Sequence, residues 1–403
     1  MFRSGSHDRD SKSVPSSVLD RLDAELPESL DVLLHRVELF GRTALAFRAD
    51  ARDTTSPRRA LRAPLVVAGM VGIRVLRSTT TFADRVTHRP STNAYVRAFR
   101  SMWRQTHANP ACPATRVDGR IALVTGGSVG IGFETSRGLA SRGAEVISVA
   151  RDRVAGERMA ASLTTECDRP AHFLAHDLAD LRTVAPTLHR LEALLRGRPL
   201  DVLVANAGLW PTGAGRSPQG HEIAFATNVL GHAALIDGAR ERGLLARDCR
   251  VVIVTGDLYV AERRCSPDFD ARGAFGGFRA YARSKLGNLW YARELARRVP
   301  SLSVLAVHPG IVATGLGGSR GGLFGAVRRS ILLDPEQGAQ TTLYCATQPD
   351  LVSGGYYHNV LGRMELRGDD PAMDDARASA LWDVLERLRT PERAPTLEPS
   401  RSL

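Results

Sequence analysis

Lysine is almost absent from this chain of 403 residues: only Lys12 and Lys285 occur among 54 lysines and arginines. Nearly every position that takes a cation uses arginine, a broad fork that keeps its proton, whereas a lysine ammonium is compact and its pKa can be tuned. Lys285 is therefore conspicuous. The five cysteines, Cys112, Cys167, Cys249, Cys265 and Cys345, form no close pairs, which excludes the familiar zinc and dithiol spacings, and no metal ligand set is read from the sequence. Long apolar runs are missing too. The best candidate, residues 65–76, contains Arg74 and falls short of the roughly 20 residues that span a bilayer. The opening residues, MFRSGSHDRDSKS, lack the apolar core of a secretory leader, so a cytoplasmic location is expected. A net charge of +11 is spread along the chain and not gathered in a patch, which argues against nucleic acid as a partner.

The chain divides into a disordered start (1–15), a helical extension (16–118), an α/β domain (119–390) and a disordered tail (391–403). In the extension, Leu26, Leu30, Leu33, Val37, Phe40, Ala44 and Phe47 recur at helical spacing. Tyr95, Phe99 and Trp103 do the same. Arginines flanking residues 65–76 leave open a peripheral membrane contact through residues 58–77, a second copy of the chain, or packing on the domain. From Arg120 onward, candidate strands at 121–125, 145–150, 171–175, 201–205, 250–255 and 303–307 alternate with helical segments. That order predicts a Rossmann-type, doubly wound parallel sheet, whose ligands lie outside the carboxyl ends of the strands.

The residues just past each strand carry the chemistry. The first strand runs into Thr125-Gly126-Gly127-Ser128-Val129-Gly130-Ile131-Gly132 and then a helix, the context in which glycines bring backbone N–H groups and a helix N-terminus to a pyrophosphate. The second ends at Ala150-Arg151-Asp152; with no acid at Ala150 and an arginine next to it, a 2′-phosphate is favoured, so NADP(H) is expected over NAD(H). The alternative makes Arg151 a surface residue and gives the ribose to Asp152. Asp177-Leu178 comes after the third strand, where Asp177 could equally cap a helix, and Asn206-Ala207-Gly208 after the fourth. Tyr281 and Lys285 stand four apart on a helix, on one face; a cation there favours ionisation of the phenol, which can then exchange a proton with a substrate oxygen.

The glycine loop, Asn206-Ala207-Gly208, Asn228, Tyr281 with Lys285, and Pro309-Gly310 occur in the order of the short-chain dehydrogenase/reductase family, which the chain resembles from about Arg120 to Leu385. Asn228-Val-Leu-Gly-His232 and Ser353-Gly-Gly-Tyr356 are most similar to its retinol-dehydrogenase and protochlorophyllide-reductase branch. The resemblance implies an NADP(H)-dependent oxidoreductase acting on an apolar carbonyl or alcohol. It implies Tyr281 as acid/base, Lys285 as the group that binds the nicotinamide ribose and lowers the tyrosine pKa, Asn228 as holder of a relay water, and Pro309, Gly310 and Thr314 as the border of the nicotinamide. One member departs. Where the family has a serine that polarises the carbonyl, this chain has Gly256. Thr255 is the nearest hydroxyl but points to the opposite face of the strand; Asp257, Tyr259 or water are the available replacements. Loss of that donor also opens a second reading, a cofactor-binding scaffold or redox sensor without turnover.

Overall fold

The computed structural model describes residues 101, 104, 105, 109–273, 275–312 and 332–389, all within one compact unit, Ser91–Leu403. The helices expected before residue 101, the segment 58–77, both tails, Thr314 and most of the glycine-rich stretch after Gly310 lie outside them.

Eight strands form one sheet in the order β3-β2-β1-β4-β5-β6-β7-β8. They are β1 (Ile121–Thr125), β2 (Glu145–Ala150), β3 (Ala171–Ala175), β4 (Leu200–Ala205), β5 (Leu245–Val254), β6 (Ser303–His308), β7 (Tyr356–His358) and β8 (Gly362–Met364). All neighbours run parallel except β7 and β8. The helices are α1 (Gly130–Ala140), α2 (Arg153–Cys167), α3 (Val184–Leu195), α4 (Gly231–Glu241), α5 (Gly276–Arg298), α6 (Pro335–Thr347) and α7 (Asp375–Arg389). The expected doubly wound α/β fold is thus present.

Alternation along each strand feeds two cores, because successive side chains point to opposite faces. Ile121 and Leu123 of β1 join Leu191, Leu235, Leu286 and Trp290 of α3, α4 and α5 on one side. Ala122 and Val124 join Leu139, Leu163 and Leu343 of α1, α2 and α6 on the other. With both faces covered, polar chemistry is left to the row of loops at the strand termini. The segment before β1 is bonded to this body: Asn109 Nδ2 donates to Gln337 O at 2.8 Å and Val117 N to Arg142 O at 2.9 Å.

Candidate active site

At the carboxyl end of β1 the chain needs glycine for conformation and for space. Gly126 and Gly130 have φ of +65° and +58°, a region L side chains avoid. A β-carbon on Gly132 would lie 2.1 Å from Gly126 O, so only glycine lets α1 start against this turn. Val129, the residue preceding α1, makes no side-chain cap and the first turn carries no acid, which leaves the helix N–H groups open to an anion. Ser128 and Ile131 are half-buried beside them. These features fit the pyrophosphate of a dinucleotide.

Thr125 ties this loop to the next. Its Oγ1 accepts from Asn206 N at 2.9 Å and Ala207 N at 3.0 Å, while Asn206 Nδ2 donates to Thr125 O at 2.9 Å. His232 lies 2.9 Å from Thr125 Oγ1 through Nε2 and 3.0 Å from Asn228 O through Nδ1. A backbone carbonyl only accepts, so Nδ1 carries the proton and Nε2 receives the threonine hydroxyl. Burial pushes His232 down to about 4, keeping it neutral.

Asn228 sits in a single π-helical turn, Ala226–Leu230, just ahead of α4, a local widening often found at functional sites. Its Oδ1 accepts from Leu209 N at 2.9 Å, and its Nδ2 donates to Leu209 O at 3.1 Å and Ser284 Oγ at 2.9 Å. A β-carbon on Gly208 would stand 3.5 Å from Asn228 Oδ1 and 3.7 Å from Lys285 Nζ, so this loop, Asn228 and Lys285 converge. Lys285 is 3% exposed, donates from Nζ to Val254 O at 3.1 Å and lies 5.2 Å from the centre of the Tyr281 ring. Trp210 stacks on that ring at 4.6 Å. Burial lowers Lys285 to about 8 and raises Tyr281 to about 12. Desolvation therefore dominates the tyrosine, and the lowering by Lys285 expected from sequence is not seen in the protein alone.

Comparison with known proteins agrees with this geometry. A family model described as short chain dehydrogenase matches residues 120–256. Retinol dehydrogenase 14 of Mus musculus is 34% identical over 292 residues, covering 66% of this chain and 85% of its own. The chain is a short-chain dehydrogenase/reductase. Polyprenol dehydrogenase of Mus musculus is 35% identical over 280 residues, covering 66% of this short-chain dehydrogenase and 82% of its own length. Among solved structures, an uncharacterized protein from Mycobacterium paratuberculosis is 30% identical with a TM-score of 0.55, covering 70% of this chain and 98% of its own. A short chain dehydrogenase from Burkholderia cenocepacia, solved in complex with NADP, shares the fold at 24% identity and a TM-score of 0.50, over 60% of this chain and 97% of its own.

Those of the remaining expected cofactor residues that are described lie at neighbouring strand ends. Arg151 is exposed, whereas Asp152 caps α2 by accepting from Ala155 N at 3.0 Å. Asp177 Oδ1 accepts from Ala179 N at 3.0 Å, and the buried Leu178 presents its carbonyl to Gly231, where a β-carbon would come within 2.1 Å. Pro309 leads to Gly310 at φ +87°, and Ile311 beyond it is clasped by Gln105, whose Oε1 accepts from Ile311 N at 2.8 Å and whose Nε2 donates to Ile311 O at 3.2 Å.

Around the missing serine, the replacements suggested by sequence are committed elsewhere. Thr255 Oγ1 donates to Lys285 O at 2.7 Å. Tyr259 is fully buried and its hydroxyl donates to Asp370 Oδ2 at 3.0 Å. Asp257 accepts from Tyr356 (2.6 Å), His358 Nε2 (3.0 Å) and Ser101 (3.3 Å). Burial opposes its ionisation, but His308, His358 and Tyr356 outweigh this and hold Asp257 well below the usual carboxylate range. Asp257, His308 and His358 have metal-ligand side chains, with ligand atoms within 4.8 Å of one another. Val360 N donates to His358 Nδ1 at 3.0 Å, however, so His358 carries its proton on Nε2 and donates a hydrogen bond to Asp257, which commits these two members of the cluster to each other. Sequence reasoning missed Trp210, His308 and His358. His308 directly precedes Pro309-Gly310, a signal available in the sequence; for His358 there was none.

Proposed function

We propose that this dehydrogenase interconverts an apolar carbonyl and its alcohol with NADP(H), Tyr281 acting as acid/base. The convergence of Tyr281, Lys285, Asn228 and the Gly208 backbone at one end of the sheet carries the reading. NADP(H) supplies or accepts the hydride when bound. Thr125, Gly126, Ser128, Gly130, Ile131 and Gly132 would hold its pyrophosphate, Arg151 its 2′-phosphate, and Asp177, Leu178, Asn206, Ala207, Gly208, Pro309, Gly310 and Thr314 the rest of its length. The exposure of Arg151 and the capping role of Asp152 support NADP(H), because the acid that could serve a ribose diol is already bonded.

In the reduction direction Tyr281 gives its phenolic proton to the substrate oxygen, and Lys285 stabilises the phenolate left behind. The Asn228 side chain fixes the loop at Leu209 and the helix at Ser284, which keeps Tyr281 and Lys285 in register. Trp210 and Tyr281 present a stacked aromatic wall, suited to an apolar substrate like those named in retinol and polyprenol dehydrogenase.

Turnover of an aldehyde and ketone panel with NADPH, and loss of that turnover in Tyr281→Phe with cofactor binding intact, is the expected outcome. A lower KM for NADH than for NADPH overturns the cofactor assignment. Gly256 favours one second reading, a cofactor-binding scaffold; NADPH binding without Tyr281-dependent turnover of any carbonyl selects it. None of the described helices is long and apolar enough to cross a membrane. The basic segment 58–77 is proposed as a peripheral membrane contact or a contact with a second copy, to be read by vesicle flotation and sedimentation.

A further inference from the structure

We propose that His308 replaces the absent serine, its Nδ1–H donating a hydrogen bond to the substrate carbonyl oxygen beside Tyr281. This role rests on the carbonyl/alcohol chemistry proposed for the site.

Gly256 is not required by its backbone: φ is 179°, an extended conformation open to any residue. Nor is it required by crowding. Where a β-carbon at position 256 would stand, the only contact within 4 Å beyond the chain neighbours, among the described residues, is His308 Nδ1 at 3.6 Å. The space a serine side chain would enter is therefore bordered by an imidazole nitrogen. That nitrogen is buried and has no hydrogen-bond partner, a condition native structures seldom leave without a use.

The ring is also held in place. His308 ends β6 and pairs in register with His358 of β7, and the two rings lie 4.6 Å apart. His358 is pinned from both sides, by Val360 N at Nδ1 and by Asp257 at Nε2. Asp257 is in turn fixed by Tyr356 and Ser101. Preorganisation of this kind lets a donor stabilise charge that develops on oxygen without reorganising during the reaction. Burial holds His308 down at about 3, so at neutral pH it is an uncharged imidazole with a single N–H. It donates a hydrogen bond and keeps its proton; the proton that ends on the substrate oxygen comes from Tyr281. Thr255, Asp257 and Tyr259, the other polar groups near Gly256, already have partners.

The test compares wild type with His308→Ala, His308→Asn, the double variant Gly256→Ser/His308→Ala, and Tyr281→Phe. NADPH oxidation is followed with decanal and benzaldehyde, and NADPH affinity by fluorescence titration. Removing one such donor is expected to lower kcat about 100-fold in His308→Ala while the Kd for NADPH is unchanged. His308→Asn, whose amide N–H stands near the former Nδ1, keeps most of the activity, and the added serine in the double variant recovers about tenfold or more of the loss. A merely structural histidine would not be rescued by a serine in the loop that follows another strand. A His308→Ala enzyme with wild-type kcat overturns the proposal and leaves the oxidoreductase reading intact. So does stoichiometric zinc in the purified protein that is lost together with activity in His308→Ala. A wild type that binds NADPH and reduces neither the probes nor the wider panel overturns both.

Discussion

Position 132 has no room for a β-carbon. Gly132→Ala would drive a methyl group into Gly126 O, at 2.1 Å, so α1 must move off the turn proposed to hold the pyrophosphate. A stability loss of about 1–3 kcal/mol in thermal denaturation is expected, with weakened NADPH binding by titration. Lys285→Arg tests a residue type that is scarce in this chain. Its compact ammonium donates to Val254 O and lies 5.2 Å from the centre of the Tyr281 ring, contacts that a broad guanidinium fork does not reproduce, and kcat is expected to fall by about 100-fold or more. Steady-state kinetics with saturating NADPH measure this loss. Tyr281 and Lys285 were legible because a spacing of four on a helix and the rarity of lysine both mark them. His308 was marked only by its place before Pro309-Gly310, and His358 not at all, since its meaning comes from Asp257, which it meets across 101 residues of chain, and no local pattern encodes that contact.

Among the elements, the junction of β2 and α2 carries two adjacent charges: Asp152 caps the helix, and Arg151 is proposed to meet the 2′-phosphate. Asp152→Ala removes the cap on Ala155 N and is expected to cost about 1 kcal/mol in denaturant unfolding, with the NADPH-to-NADH preference unchanged. Arg151→Ala should do the reverse: wild-type stability, but a KM for NADPH raised about tenfold and little change for NADH. β1 and β2 were legible to the residue because buried parallel strands read as short continuous apolar runs, and the half-buried edge strand β3 matched its expected bounds as well. β5 starts earlier than expected, at Leu245 and not Arg250, since its register with β4 shifts between Leu200 and Val202. The strands β7 and β8 have three residues each, too few to show a period. Helix α5 begins at Gly276, ahead of the recognised Tyr281, because glycine is a poor helix signal. Gly276 and Gly277 are there for space, as β-carbons would strike Ala271 O and Pro211 O at 1.9 and 2.1 Å.

For the molecule as a whole, three buried histidines set the acid limit. Burial brings His176 and His232 down to about 4 and His308 to about 3, from the ordinary value of 6.5. Below pH 6.5 the unfolded chain binds protons that the folded chain refuses, so stability is retained at neutral pH and lost as pH falls toward 4, by a few kcal/mol in sum (~3 or more). Melting temperatures recorded from pH 7 to pH 4 should fall steadily, and a flat profile contradicts the assignment. The body that must stay folded is larger than the family-matched segment 120–256. Ser101 reaches Asp257 across 156 residues and Gln105 clasps Ile311 across 206. Deleting residues 1–110 removes both anchors, and a displacement of the loop after β6 by about 1 Å is enough to lower kcat by one to two orders of magnitude. A recombinant fragment bounded by sequence similarity alone would thus start too late, and for crystallisation or directed evolution the usable N-terminal boundary lies ahead of Ser101.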